Sequence, residues 1–298
     1  MTKSKVLNGI LLFNKPRGIT SNTALQKVKR LFGATKAGHT GSLDPLATGM
    51  LPLCLGEATK VCHYLLHADK CYETTGLLGI KTNTGDAMGE AIAINNDFSI
   101  TQTLLVQTLN QFKGHIKQIP SMFSALKHNG APLYTYARKG IELHRDPRDI
   151  FISNLQLNDF NGQSFSLTVR CSKGTYIRNL VEDIGESLGV GAHVTALHRV
   201  YTAGFETMPM YTLDELIAMS EAQRLECLLP MDRAIDYLKP ITLSDEEVLI
   251  LRQGRIVTRL TNLETIECLR LYNENLDFIG LGEQQLSGEI KAKRLLSF

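Results

Sequence analysis

The stretch AGHTGSLDPLATGMLPLCLGEATK, residues 37 to 60, places four glycines and two prolines around one aspartate, Asp44, and then turns apolar. Residues 1 to 43 hold eight Lys or Arg and no acid, so Asp44 is the first negative charge in the chain. A lone carboxylate in a glycine-flanked loop has two uses. It can satisfy the N–H groups of its own turn, as Asp-Pro pairs often do. It can also act as a nucleophile, provided a neighbouring cation keeps it ionised and water is excluded. Spacing alone leaves both open. Other chemistries lack their parts. The glycines form neither a phosphate loop nor a dinucleotide fingerprint, the eight histidines supply no H-E-x-x-H set, and the six cysteines supply no C-x-x-C pair. Neither a metal nor another cofactor is expected.

A carboxylate used for chemistry needs rigid elements around it. NGILLFNKPRG reads as a strand ending in a turn, and ITSNTALQKVKRLFG as a helix capped by Thr20 or Ser21, with Ala24, Leu25, Val28, Leu31 and Phe32 at helical spacing. After the Asp44 loop, MLPLCLG predicts a strand, EATKVCHYLLHA a helix and KCYETTGLLGI a strand. SITQTLLVQTLNQFKG, residues 99 to 114, predicts an amphipathic helix. Residues 149 to 174 predict a hairpin about Asn161-Gly162, and GTYIRNLVEDIGESLG a helix closed by Gly189. No regular βαβ rhythm appears, so the fold class is α+β with a mixed, largely antiparallel sheet.

The net charge of +2 conceals regional bias. Residues 98 to 141 carry five bases and no acid, residues 160 to 181 carry three and no acid, and residues 206 to 247 carry ten acids against three bases. Acid-free stretches that converge would form a footprint for a polyanion. The first apolar run is too short for a signal segment or a membrane span, so a cytoplasmic protein is expected. The acidic run predicts peripheral helices, and the short runs after about residue 246 predict a small β module.

The sequence GHTGSLDPLATGMLPLCLGEATK strongly resembles the catalytic motif of the TruB family, the bacterial tRNA pseudouridine-55 synthases. Four further blocks match in order: NGILLFNKPRGITSN, KCYETTGLLGIKTNTGD, QIPSMFSALKHNGAPLYTYARKGIE and CSKGTYIRNLVEDIGESLGVGAHVTALHR. Ser42 precedes Leu43-Asp44 where sister synthase families usually have Arg, which favours the TruB branch. Asn83 departs from the family, which more often has Asp there.

The resemblance implies a synthase domain over residues 1–240 and a small β-barrel, PUA-like RNA-binding domain over 246–298. It implies that Asp44 attacks the target uridine, that Tyr72 stacks on the flipped uracil and helps remove its C5 proton, and that Arg178 holds Asp44 charged. Tyr176 and Leu197 would line the uridine pocket, and His39 would meet the RNA where the base leaves the stack. Lys15 and Pro16 would support the loop. The implied substrate is the T-arm stem-loop of tRNA, isomerised at position 55 by a monomer needing no obligate protein partner.

Overall fold

The computed structural model describes residues 7–259 and 265–297. Lys3 and Lys5 of the first basic stretch, and positions 260–264 and 298 of the expected C-terminal module, lie outside the described residues. The main sheet contains Gly9–Lys15 (β1), Ala37–His39 (β2), Thr48–Leu55 (β3), Lys70–Leu78 (β4), Gly114–Gln118 (β5), Arg148–Phe160 (β6), Ser164–Cys171 (β7) and Ala192–Thr202 (β8). Its order is β1-β3-β8-β4-β7-β6-β5, with β2 on β3. Every pairing is antiparallel except that of β3 with β8. The expected mixed, largely antiparallel α+β sheet is therefore present.

The unbroken apolar runs of β1 and β3 are buried on both faces, as such runs require. Leu11, Phe13, Leu51 and Leu53 face one core, and Ile10, Leu12, Met50 and Cys54 face a second. The first core is closed by three helices, Ser21–Leu31 (α1), Gln102–Asn110 (α2) and Ile177–Ser187 (α3). Ala24, Leu25 and Val28, then Leu105 and Leu109, then Leu180, Val181 and Ile184 pack against Phe165, Leu167 and Val169. Each such buried aliphatic side chain contributes about 1.5–3 kcal/mol. Thr20 caps α1 by accepting from the Thr23 amide at 3.0 Å. The helix expected across residues 57 to 68 breaks into a 3-10 turn, Gly56–Lys60, and a short helix, Cys62–Leu66. The Thr59 hydroxyl donates to the Gly56 carbonyl at 2.7 Å, closing the chain locally in place of an α-turn.

A second sheet of five strands follows: Lys239–Thr242 (β9), Val257–Thr258 (β10), Glu267–Tyr272 (β11), Phe278–Gln284 (β12) and Glu289–Leu295 (β13), ordered β9-β11-β12-β13-β10. It curls as a half-barrel around Leu243, Leu251, Leu269, Leu271, Ile279 and Ile290, a form consistent with the expected PUA-like module. Its first strand, Lys239–Thr242, begins before residue 246, where the small β module was expected to start. Leu281 of β12 reaches into the second core, beside Ile10, Leu12 and Phe205. Lys60 Nζ donates to the Leu295 carbonyl at 3.0 Å, and the Ser297 amide to Glu57 at 2.9 Å.

Strand β8 joins the halves of the main sheet and spans a segment given no element from sequence. Its join to β3 consists of two residue pairs, His198 with Thr48 and Arg199 with Gly49. Gly49 has φ +97°, and a Cβ there would lie 2.3 Å from the Arg199 carbonyl oxygen. Only glycine permits strands to approach this closely in that conformation. Replacing Gly49 with Ala is expected to destabilise the fold by about 3 kcal/mol, the upper range for a strained backbone site. Urea denaturation checks this, and an unchanged midpoint would mean that the seam tolerates a side chain.

Candidate active site

Between β2 and β3 the loop holding Asp44 is tied down at both ends. Ser21 at the start of α1 bonds Leu43 twice: its Oγ accepts from the Leu43 amide at 2.7 Å and donates to the Leu43 carbonyl at 2.9 Å. The Gly18 amide donates to the Pro45 carbonyl at 2.8 Å, and the Ala47 amide to that of Asp44 at 3.0 Å. Leu43, Leu46 and Ala47 are buried. These anchors turn the Asp44 side chain away from the core, where 37 % of its surface remains open.

Arg178, in the first turn of α3, grips the covered side of that carboxylate. Its Nε lies 2.8 Å from Asp44 Oδ2, and its Nη2 donates to Oδ1 at 3.2 Å. Nη1 donates to the Thr84 carbonyl at 2.6 Å and Nη2 to the Phe123 carbonyl at 2.9 Å. The guanidinium is 4 % exposed, so the cation is enclosed while its anion keeps an open face. Bidentate pairing of this kind fixes both charge and orientation. A second carboxylate, Asp86, lies 3.9 Å from Arg178 Nε and is held by the Thr84 hydroxyl and the Met88 amide, each at 2.9 Å.

Burial pushes the Asp44 pKa above its ordinary value; the Arg178 and Lys15 charges oppose the rise and Asp86 adds to it. Lys15 is fully enclosed, donates to the Pro16 and Ile19 carbonyls at 2.9 and 2.8 Å, and is pushed down to about 8 by burial. These bonds close the turn at residues 16–19, and the Lys15 charge acts on Asp44.

Tyr72 sits on β4 in register with Val169 of β7 and Arg199 of β8. Its phenol is pushed up by burial, lowered by Arg199 and raised further by Asp44, so it shares the electrostatic environment of the carboxylate. Tyr176 precedes α3; its amide donates to Gln118 Oε1 at 2.8 Å, and its half-buried phenol is pushed up chiefly by burial, with Asp44 raising it and Arg178 lowering it. Leu197 lines a cleft of about 490 Å³ with Arg17, Leu46, Thr48, Thr74 and His198. Asp44, Tyr72 and Arg178 do not line that cleft. His39 ends β2 and makes no hydrogen bond or ion pair with Asp44, Tyr72 or Arg178 among the described residues; its Nδ1 is buried without a partner. Burial and Arg199 lower its pKa.

With these groups in place, comparison with known proteins identifies the family. The N-terminal domain of the TruB family pseudouridylate synthases matches residues 29–177, the tRNA pseudouridylate synthase B C-terminal domain residues 178–236, and the pseudouridine synthase II TruB C-terminal domain residues 240–296. A tRNA pseudouridine synthase B of Legionella pneumophila is 62 % identical over 292 residues, covering 98 % of this chain and 96 % of its own. The chain belongs to the TruB family. A tRNA pseudouridine synthase B of Aeromonas salmonicida is 46 % identical over 306 residues, covering 99 % of this chain and 96 % of its own. The protein in the crystal structure of a Cbf5-Nop10-Gar1 complex shares the fold, with a TM-score of 0.72 at 23 % identity over 96 % of this chain and 84 % of that one.

Sequence reading left three groups of this TruB family site without roles. Asp86 and the Thr84 carbonyl were quoted only as part of a matching loop, and Arg199 only as the end of a block. The available signal for Arg199 was a cation two residues beyond Leu197, at the end of a matching block. Among the described residues no group of three or more His, Cys, Asp or Glu could hold a metal, and no helix is long and apolar enough to cross a membrane.

The opposing effects on Asp44 make a titration informative. The carboxyl, followed by carbon NMR, is expected to protonate above the ordinary aspartate value of 3.8. Arg178→Lys, which keeps the charge but removes the second donor of the fork, should raise the midpoint further, because hydrogen bonding from Arg178 helps to lower it. A midpoint that falls in the variant would contradict this account of the pair.

Proposed function

We propose that the protein converts the uridine at position 55 of the tRNA T-loop to pseudouridine, with Asp44 as the nucleophile. The observation that carries this reading is the Asp44–Arg178 pair, a carboxylate held ionised from one side by an enclosed guanidinium and left open on the other. An ordinary turn-forming aspartate has no need of a buried bidentate partner. The sequence likeness to tRNA pseudouridine synthases B over nearly the whole chain supports the same substrate.

A base inside a folded loop must leave its stack before C1′ or the ring can be attacked, and enzymes grip such a base by stacking and edge contacts. Tyr72, Tyr176 and Leu197 are suited to that grip, and His39 to the edge where the base departs. Asp44 attacks either the ribose or the ring, the C1′–N1 bond breaks, the uracil rotates, C5 joins C1′, and the bond to Asp44 is released so that the carboxylate is regenerated. Tyr72 then takes the C5 proton. The C–H pair returns to the ring, and N1 takes a proton in turn, so uridine and pseudouridine remain isomers. No cofactor is needed.

Phosphates are met by the exposed Lys27, Arg30, Lys113, Lys117, Lys127, Lys139, Arg170 and Lys173. Lys15 and Arg178, which belong to the same acid-free stretches, are buried and serve the site instead. Residues 1–240 carry the chemistry and 246–298 add RNA contacts. The enzyme acts as a monomer on free tRNA in the cytoplasm.

Asp44→Asn decides between nucleophile and turn-former, because Asn serves equally well in turns. Tritium release from C5-labelled uridine in tRNA is expected to fall on the order of 10⁶-fold, as removal of a nucleophile does elsewhere. Near-normal release would end this mechanism. Filter binding should find affinity largely retained in the variant, since phosphate contacts from other residues dominate it. For the parent protein, affinity should fall steeply between low and physiological salt as bound counterions are displaced. A flat dependence would remove the proposed phosphate contacts.

A further inference from the structure

Arg199 is the largest fully buried side chain of the protein, 1 % exposed, yet among the described residues no carboxylate lies within ion-pair distance of it. Its Nε donates to the Met50 carbonyl at 2.6 Å, and its Nη2 to that of Gly41 at 3.4 Å. Gly41 lies three residues before Asp44, so the guanidinium spans from the sheet seam to the nucleophile loop. On the neighbouring strand, Tyr72 is its register partner. An enclosed cation satisfied only by neutral carbonyls is expensive, and proteins normally pair such a charge. Beside Arg199 the group able to become an anion is the Tyr72 phenol.

We propose that Arg199 is the positioning residue of the proton-removal step, aligning the Tyr72 phenol with the Asp44 loop and supplying the counter-charge while the Tyr72 oxygen is anionic. This inference rests on the reading of Tyr72 as the base. In that step the Tyr72 phenolate takes the proton from C5, the C–H bond pair returns to the ring, and the guanidinium neutralises the oxygen before transfer. Arg199 touches neither substrate nor reacting atoms.

The charges around the phenol set the sign of the test. From β8 Arg199 lowers its pKa, whereas burial, Cys171 on β7 and Asp44 on its loop raise it. Lys15, Lys70 and His39, the other titratable groups around Arg199, are each shifted down by its charge, so no anion competes with Tyr72 for it. Removing the positive charge must therefore push the phenol further up and leave less phenolate at neutral pH.

The experiment measures single-turnover pseudouridine formation against pH in Arg199→Met, Arg199→Gln, Arg199→Lys and Tyr72→Phe. Gln retains a donor for the Met50 carbonyl without the charge, and so decides the question if the Met variant fails to fold by circular dichroism. The neutral variants are expected to lose about 10²-fold in rate at neutral pH, the lower range for general acid–base catalysis, with the rising alkaline limb displaced upward. KM for tRNA should stay within about threefold, since ground-state binding is untouched. Arg199→Lys should return the limb toward its parental position. A limb that stays in place in the Gln variant while Tyr72→Phe is inactive overturns the role of Arg199 and leaves the base assignment standing. Full activity in Tyr72→Phe overturns the base assignment and this inference together.

Discussion

The Arg178 guanidinium is the contact on which the rest of the site depends. Four segments distant in sequence meet on it: the Asp44 loop, the Thr84–Asp86 loop, the chain at Phe123, and α3, which carries it. Removing Asp44 would leave the enclosed guanidinium with two carbonyls and the more distant Asp86, whereas removing Arg178 would free a carboxylate that is 37 % open to water. The same contact therefore fixes the direction of the Asp44 carboxylate and the closure of two neighbouring loops.

Enclosed cations form a layer beneath the exposed ones. Lys15, Lys70, Arg178 and Arg199 are all nearly or fully buried around the centre of the sheet. Only Arg178 has carboxylates in ion-pair contact; the other three are held by backbone carbonyls. Burial pushes Lys15 and Lys70 each down to about 8, against an ordinary 10.5. A centre biased this way favours anionic groups placed in it, whether a side chain, a developing oxyanion or a phosphate. Outside, Lys27, Arg30, Lys113, Lys117 and Lys127 are exposed.

Much of this was legible before the structure. The unbroken apolar runs announced β1 and β3, Thr20 and Gly189 marked helix ends, and Asn161-Gly162 marked the hairpin joining β6 to β7. Asp44, Tyr72 and Arg178 were named from motif likeness, and their proximity in space is now visible. What escaped were features that depend on long-range pairing. Strand β8 mixes His, Thr and Arg among its apolar residues and carries two register irregularities, so no period of two survives to mark it. Asp86 looked like any loop acid because its partner lies 92 residues away. Arg199 drew no reading of its own, because a single sequence cannot reveal that neighbouring strands enclose a cation.

The seat of the C-terminal sheet limits how such a protein can change over generations. Leu281 rests against the rear face of β1 and β3, the second of which leads out of the Asp44 loop, in one core with Ile10, Leu12 and Met50. Exchange of that sheet for another unit would have to preserve an apolar surface shaped for this core, along with the partners of Lys60 and Glu57. Acquiring a new specificity by recombination at this junction is therefore restricted to grafts that keep its inner face, whereas the outward loops of the same sheet are free to diverge.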